Sequence, residues 1–216
     1  MRRISCTIGL VLALGGSGCG LNSTKGSGNI ISEPRSVKDF TSVELSGSGT
    51  IVIEQSDAES LTITTDDNLL PYLTSEVVGS RLKLGTKDGK GVDPSKDVTY
   101  KLLVKKLNGI TIAGGGDVDA KGLLTDSLSV DIAGAGDVKL SGETTDQKVS
   151  ISGAGDYNAE NFKSKNSSVT ITGAGDVIVA ASDTLDVRIV GAGDVRYVGD
   201  PKVTKEIVGA GSIEKK

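Results

Sequence analysis

A short glycine motif recurs at a nearly constant interval through the C-terminal half of this 216-residue sequence. Each copy runs from one aliphatic residue through Gly-Ala-Gly-Asp, or a close variant, to another apolar residue. The copies are Ile112–Val118, Ile132–Val138, Ile151–Tyr157, Ile171–Val177, Ile189–Val195 and Ile207–Ile213. Their first glycines are 20, 19, 20, 18 and 18 residues apart. A period of this length indicates that the chain stacks similar supersecondary units.

Alternating apolar residues on both sides of each motif predict β-strands. Leu128 and Val130 alternate with polar residues before the second copy, and Val138 and Leu140 do so after its glycines. A period of two with β-branched residues is typical of a strand that buries one face. Each repeat is therefore predicted to contain a strand, a glycine corner, a second strand and a polar turn.

Two all-β architectures could use this unit. In an antiparallel meander each Gly-Ala-Gly would form a hairpin turn, whereas in a single-stranded parallel β-helix, or β-solenoid, each 18–20-residue repeat would form one coil. The near-constant period favours the β-helix, because coils of equal length align their apolar residues into interior ladders. The glycines agree, since a repeated sharp corner requires positive φ or a close backbone approach. For residues 37–107, the pattern leaves open whether they form further coils or a cap.

The N-terminus resembles a bacterial export signal. Arg2 and Arg3 precede an apolar run that is too short for a permanent membrane span, and four small residues then lead directly to Cys19. This layout resembles a lipobox, in which the cysteine is lipidated, although Gly16 occupies the position where that motif has leucine. We therefore expect a signal peptide over residues 1–18, a lipidated Cys19 with a flexible tether over 19–32, and one domain over 33–216. The alternative is ordinary cleavage near residue 18 and a fully soluble product.

Composition excludes several classes of function. Without residues 1–18 the chain has 22 basic and 28 acidic residues, a net charge of −6, which argues against nucleic acid as a partner. Of its two cysteines, Cys6 lies in the predicted signal and Cys19 carries the predicted lipid, so no disulfide framework is expected. The sequence has no histidine. The usual general base and most transition-metal sites are therefore missing.

The ordered combination of three segments resembles the head GIN domain family of bacterial, exported, putative auto-transporter adhesins. These segments are residues 34–43 with the Ser-Gly-Ser-Gly of 46–49, the Asp-Asn-Leu-Leu of 67–70, and the Gly-Ala-Gly-Asp series. The resemblance extends from about residue 33 to the C-terminus. It implies a right-handed, pectin-lyase-like β-helix and a role in adhesion, and it supplies no catalytic residues.

One aspartate follows the glycines in five successive copies, at Asp117, Asp137, Asp156, Asp176 and Asp194. In a β-helix these carboxylates would stack about 4.8 Å apart, where like charges repel. We favour the interpretation that each Asp accepts backbone N–H bonds at its corner. The alternatives are a Ca²⁺ ladder, because this cation prefers carboxylate oxygens, and a polar ligand surface. No other cofactor is expected.

The sequence therefore predicts a non-catalytic extracytoplasmic lipoprotein. It would be anchored in the cell envelope, most naturally at the outer membrane, on the periplasmic or the surface face. As an adhesin or envelope scaffold, it would contact the membrane through its N-terminal lipid and bind a surface glycan or protein of unknown identity. The alternative is a carbohydrate-active enzyme, a polysaccharide lyase or hydrolase, built on the same β-helix. The lysines and arginines do not share one repeat position, which argues against a convergent catalytic cluster.

Overall fold

The structure, a computed structural model, describes residues 23–87 and 90–216, so the predicted signal peptide and Cys19 lie outside the described residues. It is built from β-strands, with one 3₁₀ turn at Leu70–Tyr72. In chain order the strands are β1 Ser23–Lys25, β2 Ile30–Arg35, β3 Ser42–Gln55, β4 Ser60–Asp66, β5 Leu73–Val78, β6 Arg81–Thr86, β7 Gly91–Asp93, β8 Thr99–Val104, β9 Gly109–Gly134, β10 Val138–Gly153, β11 Tyr157–Gly173, β12 Val177–Gly191, β13 Val195–Val198, β14 Lys202–Gly209 and β15 Ile213–Lys215. The described ranges contain no helix long and apolar enough to cross a bilayer.

Successive repeats pair with one another in parallel. Strand β10 pairs with β9 on one side and with β11 on the other, and β12 continues the series. The register places Gly153 opposite Gly134 and Gly173, so the corners of neighbouring repeats lie side by side. Parallel neighbours cannot be joined by a hairpin turn. The antiparallel meander is therefore excluded for the repeats.

The N-terminal third of the domain pairs differently. Strands β2 and β4, β4 and β8, and β5 and β6 are antiparallel, and they join the same large sheet as the parallel repeats. The predicted parallel β-helix domain over residues 33–216, in which the pattern left residues 37–107 open, is therefore corrected to an all-β domain with a mixed sheet. The physical reason is that the 18–20-residue period does not continue through this part of the sequence. Strand β3 still pairs in parallel with β9, β6 and β8, whereas β2, β4 and β5 match no repeat and pair antiparallel.

The interior consists of aliphatic ladders, as the alternation predicts. At one position the register aligns a series of buried valines from neighbouring repeats: Val130, Val149, Val169 and Val187. The next residue in this series is Lys205 in β14, which is exposed. A charged residue at an inward position of an edge strand discourages pairing with another sheet. The aliphatic ladder therefore ends in a lysine at the last repeat.

Close backbone contact between neighbouring repeats accounts for the glycine at each corner. Gly153 has φ = +142°, a conformation that side chains rarely adopt. A Cβ at this position would overlap the carbonyl oxygen of Gly134 and lie 3.0 Å from its carbonyl carbon. That same oxygen accepts the hydrogen bond from the Ala154 N–H (2.9 Å). The motif therefore requires glycine for both conformation and space.

A short polar network crosses the interior of the repeats between the aliphatic ladders. Gln147 donates to the Tyr157 hydroxyl and accepts from Ser167 (3.1 Å), which is hydrogen-bonded to Ser164 (2.8 Å). Ser164 in turn donates to the Ala180 carbonyl (2.9 Å). Burial raises the pKa of Tyr157 well above its ordinary value, so the phenol stays neutral. Each of these side chains has at least one partner, with two serine hydroxyl protons serving three contacts, and the network joins neighbouring repeats.

The structure corrects the prediction of a flexible tether for residues 23–32. Strand β1 pairs in parallel with β7, and β2 pairs antiparallel with residues 61–66 of β4, so the segment is part of the folded domain. Its glycine- and serine-rich composition predicts a flexible linker, but hydrogen bonds to distant residues order it instead. Such contacts, about 40 positions apart in the chain, leave no local sequence signal.

Candidate binding groove

The aspartates that follow the glycine corners form a single column across the parallel repeats. Each lies directly after a corner and opens the next run of extended chain. The side chains of the first three are exposed, whereas Asp176 and Asp194 are half-buried. We call this set, Asp117, Asp137, Asp156, Asp176 and Asp194, the Asp column.

Within the Asp column, each carboxylate accepts a hydrogen bond from the backbone of the next repeat. The N–H of Asp137 donates to Oδ1 of Asp117 (3.1 Å), and the N–H of Asp156 donates to Oδ1 of Asp137 (3.2 Å). The pattern continues to Asp176 (3.0 Å) and Asp194 (3.2 Å). These bonds support the interpretation as backbone caps, since a buried or strained corner amide needs an acceptor.

At the two ends of the column, other residues occupy the position equivalent to the aspartate. The register places Thr50 of β3 beside Asp117 and before the first repeat. At the other end Ser212 donates its N–H to Oδ1 of Asp194 (2.7 Å). Within the described residues, the Ser212 side chain accepts no hydrogen bond from a corner N–H.

An open groove of about 470 Å³ runs along the Asp column. One wall is formed by the first four carboxylates of the column, Asp117 to Asp176, and the other by the residues two positions after the column aspartates in each repeat. This second row consists of Asp119, Lys139, Asn158, Ile178 and Arg196. Asp119 forms an ion pair with Lys121 (3.3 Å). The groove therefore offers carboxylates, an amide and two cationic side chains, and its apolar lining consists of Val118, Val138, Tyr157 and Ile178.

The arrangement suits hydrogen bonding better than metal binding or acid–base catalysis. In the ranges 23–87 and 90–216, no group of three or more His, Cys, Asp or Glu side chains is placed to hold a metal ion. One oxygen of each column carboxylate is already engaged by a backbone N–H. The other, Oδ2, receives no hydrogen bond from the described part of the chain and is left for an external donor. The backbone hydrogen bonds account for the aspartates without a metal ion, and Ca²⁺ binding stays a hypothesis.

A second polar cluster was not anticipated from the sequence. Asp66, Asp67 and Asn68 contact the N-terminal segment through hydrogen bonds that span about 40 positions. In the sequence, Asp67 and Asn68 stand out only as the start of the Asp-Asn-Leu-Leu segment that resembles the head GIN domain family. A turn-forming Asp-Asp-Asn run was its only local signal.

Comparison with known proteins identifies a family. The sequence profile described as putative auto-transporter adhesin, head GIN domain, matches residues 39–201. No curated protein matches the sequence.

Solved structures of bacterial proteins share the fold. A putative adhesin from Bacteroides fragilis superposes with a TM-score of 0.73 at 25% identity, covering 90% of this chain and 100% of the other. A protein from Parabacteroides distasonis, described as a putative lipid binding protein, has a TM-score of 0.53 at 26% identity, with 90% and 99% covered. A putative adhesin from Parabacteroides merdae is similar in fold, with a TM-score of 0.55 at 23% identity over 90% and 99%.

Proposed function

The chain belongs to the head GIN domain family of putative auto-transporter adhesins, and on that premise we propose that it is a non-catalytic, lipid-anchored binding module outside the cytoplasm. The observation that carries the binding role is the continuous groove along the Asp column. Family membership and the naming of its structural relatives as putative adhesins support it.

The proposed anchor is a lipid on Cys19 in the outer membrane, on its periplasmic or surface face. Its support is the N-terminal sequence, where a basic start, an apolar run and small residues precede that cysteine. Intact-mass analysis of the exported chain tests this directly. The expected mass is that of residues 19–216 plus lipid, and Cys19→Ala should abolish the lipid adduct.

We propose further that the repeats wind as a right-handed parallel β-helix. Support comes from the in-register parallel pairing of β9 to β12 and from the strong right-handed preference of parallel crossover connections. In this arrangement every repeat contributes one carboxylate to the same side, and neighbouring carboxylates are about 4.8 Å apart.

The ligand class that best suits the groove is an extended, hydroxyl-rich polymer, such as a linear surface glycan. A row of carboxylate oxygens accepts hydrogen bonds from hydroxyl groups at regular intervals. Lys139 and Arg196 add donors on the opposite wall. An acyl chain suits this groove less, because the charged side chains that line it would have to be desolvated against hydrocarbon. A globular protein partner would bury surface beyond the groove and depend little on its carboxylates.

A glycan-binding screen with groove variants tests the proposal. The triple variant Asp137→Asn, Asp156→Asn and Asp176→Asn keeps an oxygen that can accept the corner N–H but removes the charge. We expect the protein to retain a polymer that the triple variant binds at least tenfold more weakly. Asp131→Asn, which changes an exposed carboxylate outside the groove, should bind normally.

Three outcomes would contradict the proposed function. Equal binding by the triple variant would move the ligand away from the groove. Release of shortened polymer during the assay would favour the carbohydrate-active enzyme. Retention of lipid vesicles through the anchorless domain, rather than of glycan, would favour an acyl ligand.

A further inference from the structure

We propose that the folded N-terminal segment fixes the orientation of this domain on the membrane, with its N-terminal end against the lipid headgroups and its last repeats away from them. In this orientation, the surface that the N-terminal end of the domain faces is a phospholipid bilayer. This inference rests on the proposed lipid on Cys19. It goes beyond that proposal because an anchor on a long flexible tether would leave the domain free to tumble.

The N-terminal segment is held along its whole described length. We call residues 23–29 the N-terminal strap. After β1, the Gly26 N–H donates to the Asp93 carbonyl (2.9 Å), and the Asn68 side chain donates to the Lys25 carbonyl (2.8 Å). Ser27 donates its N–H to Oδ1 of Asn68 (2.9 Å). The strap is thus bonded on both sides of Gly26.

Two aspartates complete the attachment. Asp67 accepts from the Ser27 hydroxyl (2.5 Å) and from the Asn29 side chain (2.8 Å). Asp66 accepts from the Gly28 N–H (2.6 Å) and, on its other side, from the N–H of Ser95 (2.9 Å). Charge-assisted bonds of this kind are among the stronger hydrogen bonds in proteins.

Asp66 is the central member of this attachment, because it is completely buried. Hydrogen bonds, first of all from the Ser95 hydroxyl (2.7 Å), hold its pKa below the ordinary value. A Cβ at Gly26 would overlap the Asp66 carboxylate, lying 2.6 Å from Oδ1. Position 26 must therefore be glycine for the strap to lie this close, and any side chain there should displace it.

While the strap is attached, only a short stretch of chain separates Cys19 from the folded domain. Cys19 precedes β1 by four positions, which span at most about 14 Å when fully extended. If the strap were released, the chain from Cys19 to β2 would span up to about 40 Å. The strap therefore brings the exit point of the domain within a few residues of the lipid.

Strand β1 pairs with β7 in a separate two-stranded sheet, and through Asp66 of β4 the strap is bonded to one end of the large sheet. The order of its strands runs from β15 through the repeats to β3, β8, β4 and finally β2, which follows the strap. Nine strand spacings of about 4.8 Å separate the two ends, or about 43 Å. An anchor at the β2 end consequently places the last repeats far from the bilayer, and the Asp column runs from β9 toward them.

Fluorescence quenching on vesicles tests this orientation. The full chain is exported, lipidated and reconstituted into phosphatidylcholine vesicles that contain a headgroup nitroxide lipid. Because Cys6 leaves with the predicted signal and the predicted lipid occupies Cys19, one added cysteine can carry a single fluorophore. One label replaces Lys96, next to Ser95, and the other replaces Thr204 in β14; both positions are exposed.

We expect the label at Lys96 to be quenched at least threefold more strongly than the label at Thr204. Gly26→Asp, which places a second carboxylate against Asp66, should abolish that difference while the protein stays on the vesicles. Ser168→Asp, an equal charge change on an exposed residue of a distant repeat, should preserve it. Circular dichroism of both variants checks that the domain remains folded.

The outcomes separate this inference from the anchor itself. A lipidated chain whose two labels are quenched equally overturns the orientation and leaves the anchor intact. A persistent difference in a folded Gly26→Asp variant overturns the role of the strap. A chain without lipid that fails to float with the vesicles overturns the anchor, and the orientation with it.

Discussion

A single methyl group at Gly153 should destabilise the protein substantially. Gly153→Ala places a side chain on a residue with φ = +142°, a region almost restricted to glycine. It also drives the new Cβ into the carbonyl oxygen of Gly134 in the neighbouring repeat. That oxygen is the acceptor for the Ala154 N–H, so relief of the overlap stretches a hydrogen bond between repeats.

The magnitude follows from these two contributions. Backbone strain of this kind costs about 1–3 kcal/mol, and loss of the hydrogen bond costs about 1 kcal/mol. We therefore expect Gly153→Ala to lower the free energy of unfolding by about 2–4 kcal/mol. For a domain of this size, each kcal/mol corresponds to about 2–4 °C in Tm, so Tm should fall by about 10 °C.

Urea unfolding followed by far-ultraviolet circular dichroism measures the effect. The matched control is Gly115→Ala, because a Cβ at Gly115 meets no atom within 4 Å and the later repeats carry alanine there. This control should change the free energy of unfolding by less than about 1 kcal/mol, with stabilisation the expected direction. If both variants unfold at the wild-type midpoint, the argument from corner geometry is refuted.

Three further predictions concern the end of the sheet, the strap and the Asp column. Lys205→Val, which extends the buried valine series to an edge strand, should cause self-association in sedimentation velocity. Lys202→Val, three positions earlier in β14 and opposite Thr184 rather than a buried valine, should stay monomeric. Because hydrogen bonds lower the folded-state pKa of Asp66, its stabilisation is present above the ordinary carboxyl pKa of about 3.9 and is lost as pH falls through the lowered value. The Tm difference between wild type and Asp66→Asn should therefore shrink below about pH 4, and a constant difference would contradict this. Millimolar Ca²⁺ after EDTA should leave Tm unchanged if the Asp column only caps backbone amides; a rise of several degrees would restore the metal hypothesis.

The parallel repeats could be predicted from the sequence because their information is periodic. Equal spacing of the glycines aligns identical positions, so Val149 lies beside Val130 and Val169 in the register. The alternation also identifies which side chains are buried. The capping role of the aspartates was likewise predictable, since Asp at a tight corner commonly accepts backbone N–H bonds.

The N-terminal part could not be predicted in the same way. Its antiparallel pairs join β2 to β4 and β4 to β8, which share no repeated spacing. Composition suggested that residues 23–32 are a flexible tether, because glycine and serine are typical of linkers. In the folded domain, the hydrogen bonds that this segment donates to Asp66, Asp67 and Asn68 outweigh that tendency.

The sequence by itself thus determined the repeating β-strands, the buried ladders and the column of aspartates, because each depends on local spacing that recurs along the chain. Only the tertiary structure decided that the strap is folded, which end of the sheet it leaves from, and that Gln147 meets Tyr157 and Ser167 inside the domain. These features depend on single contacts between segments that differ in sequence. Such contacts become visible only when the backbone has brought the segments together.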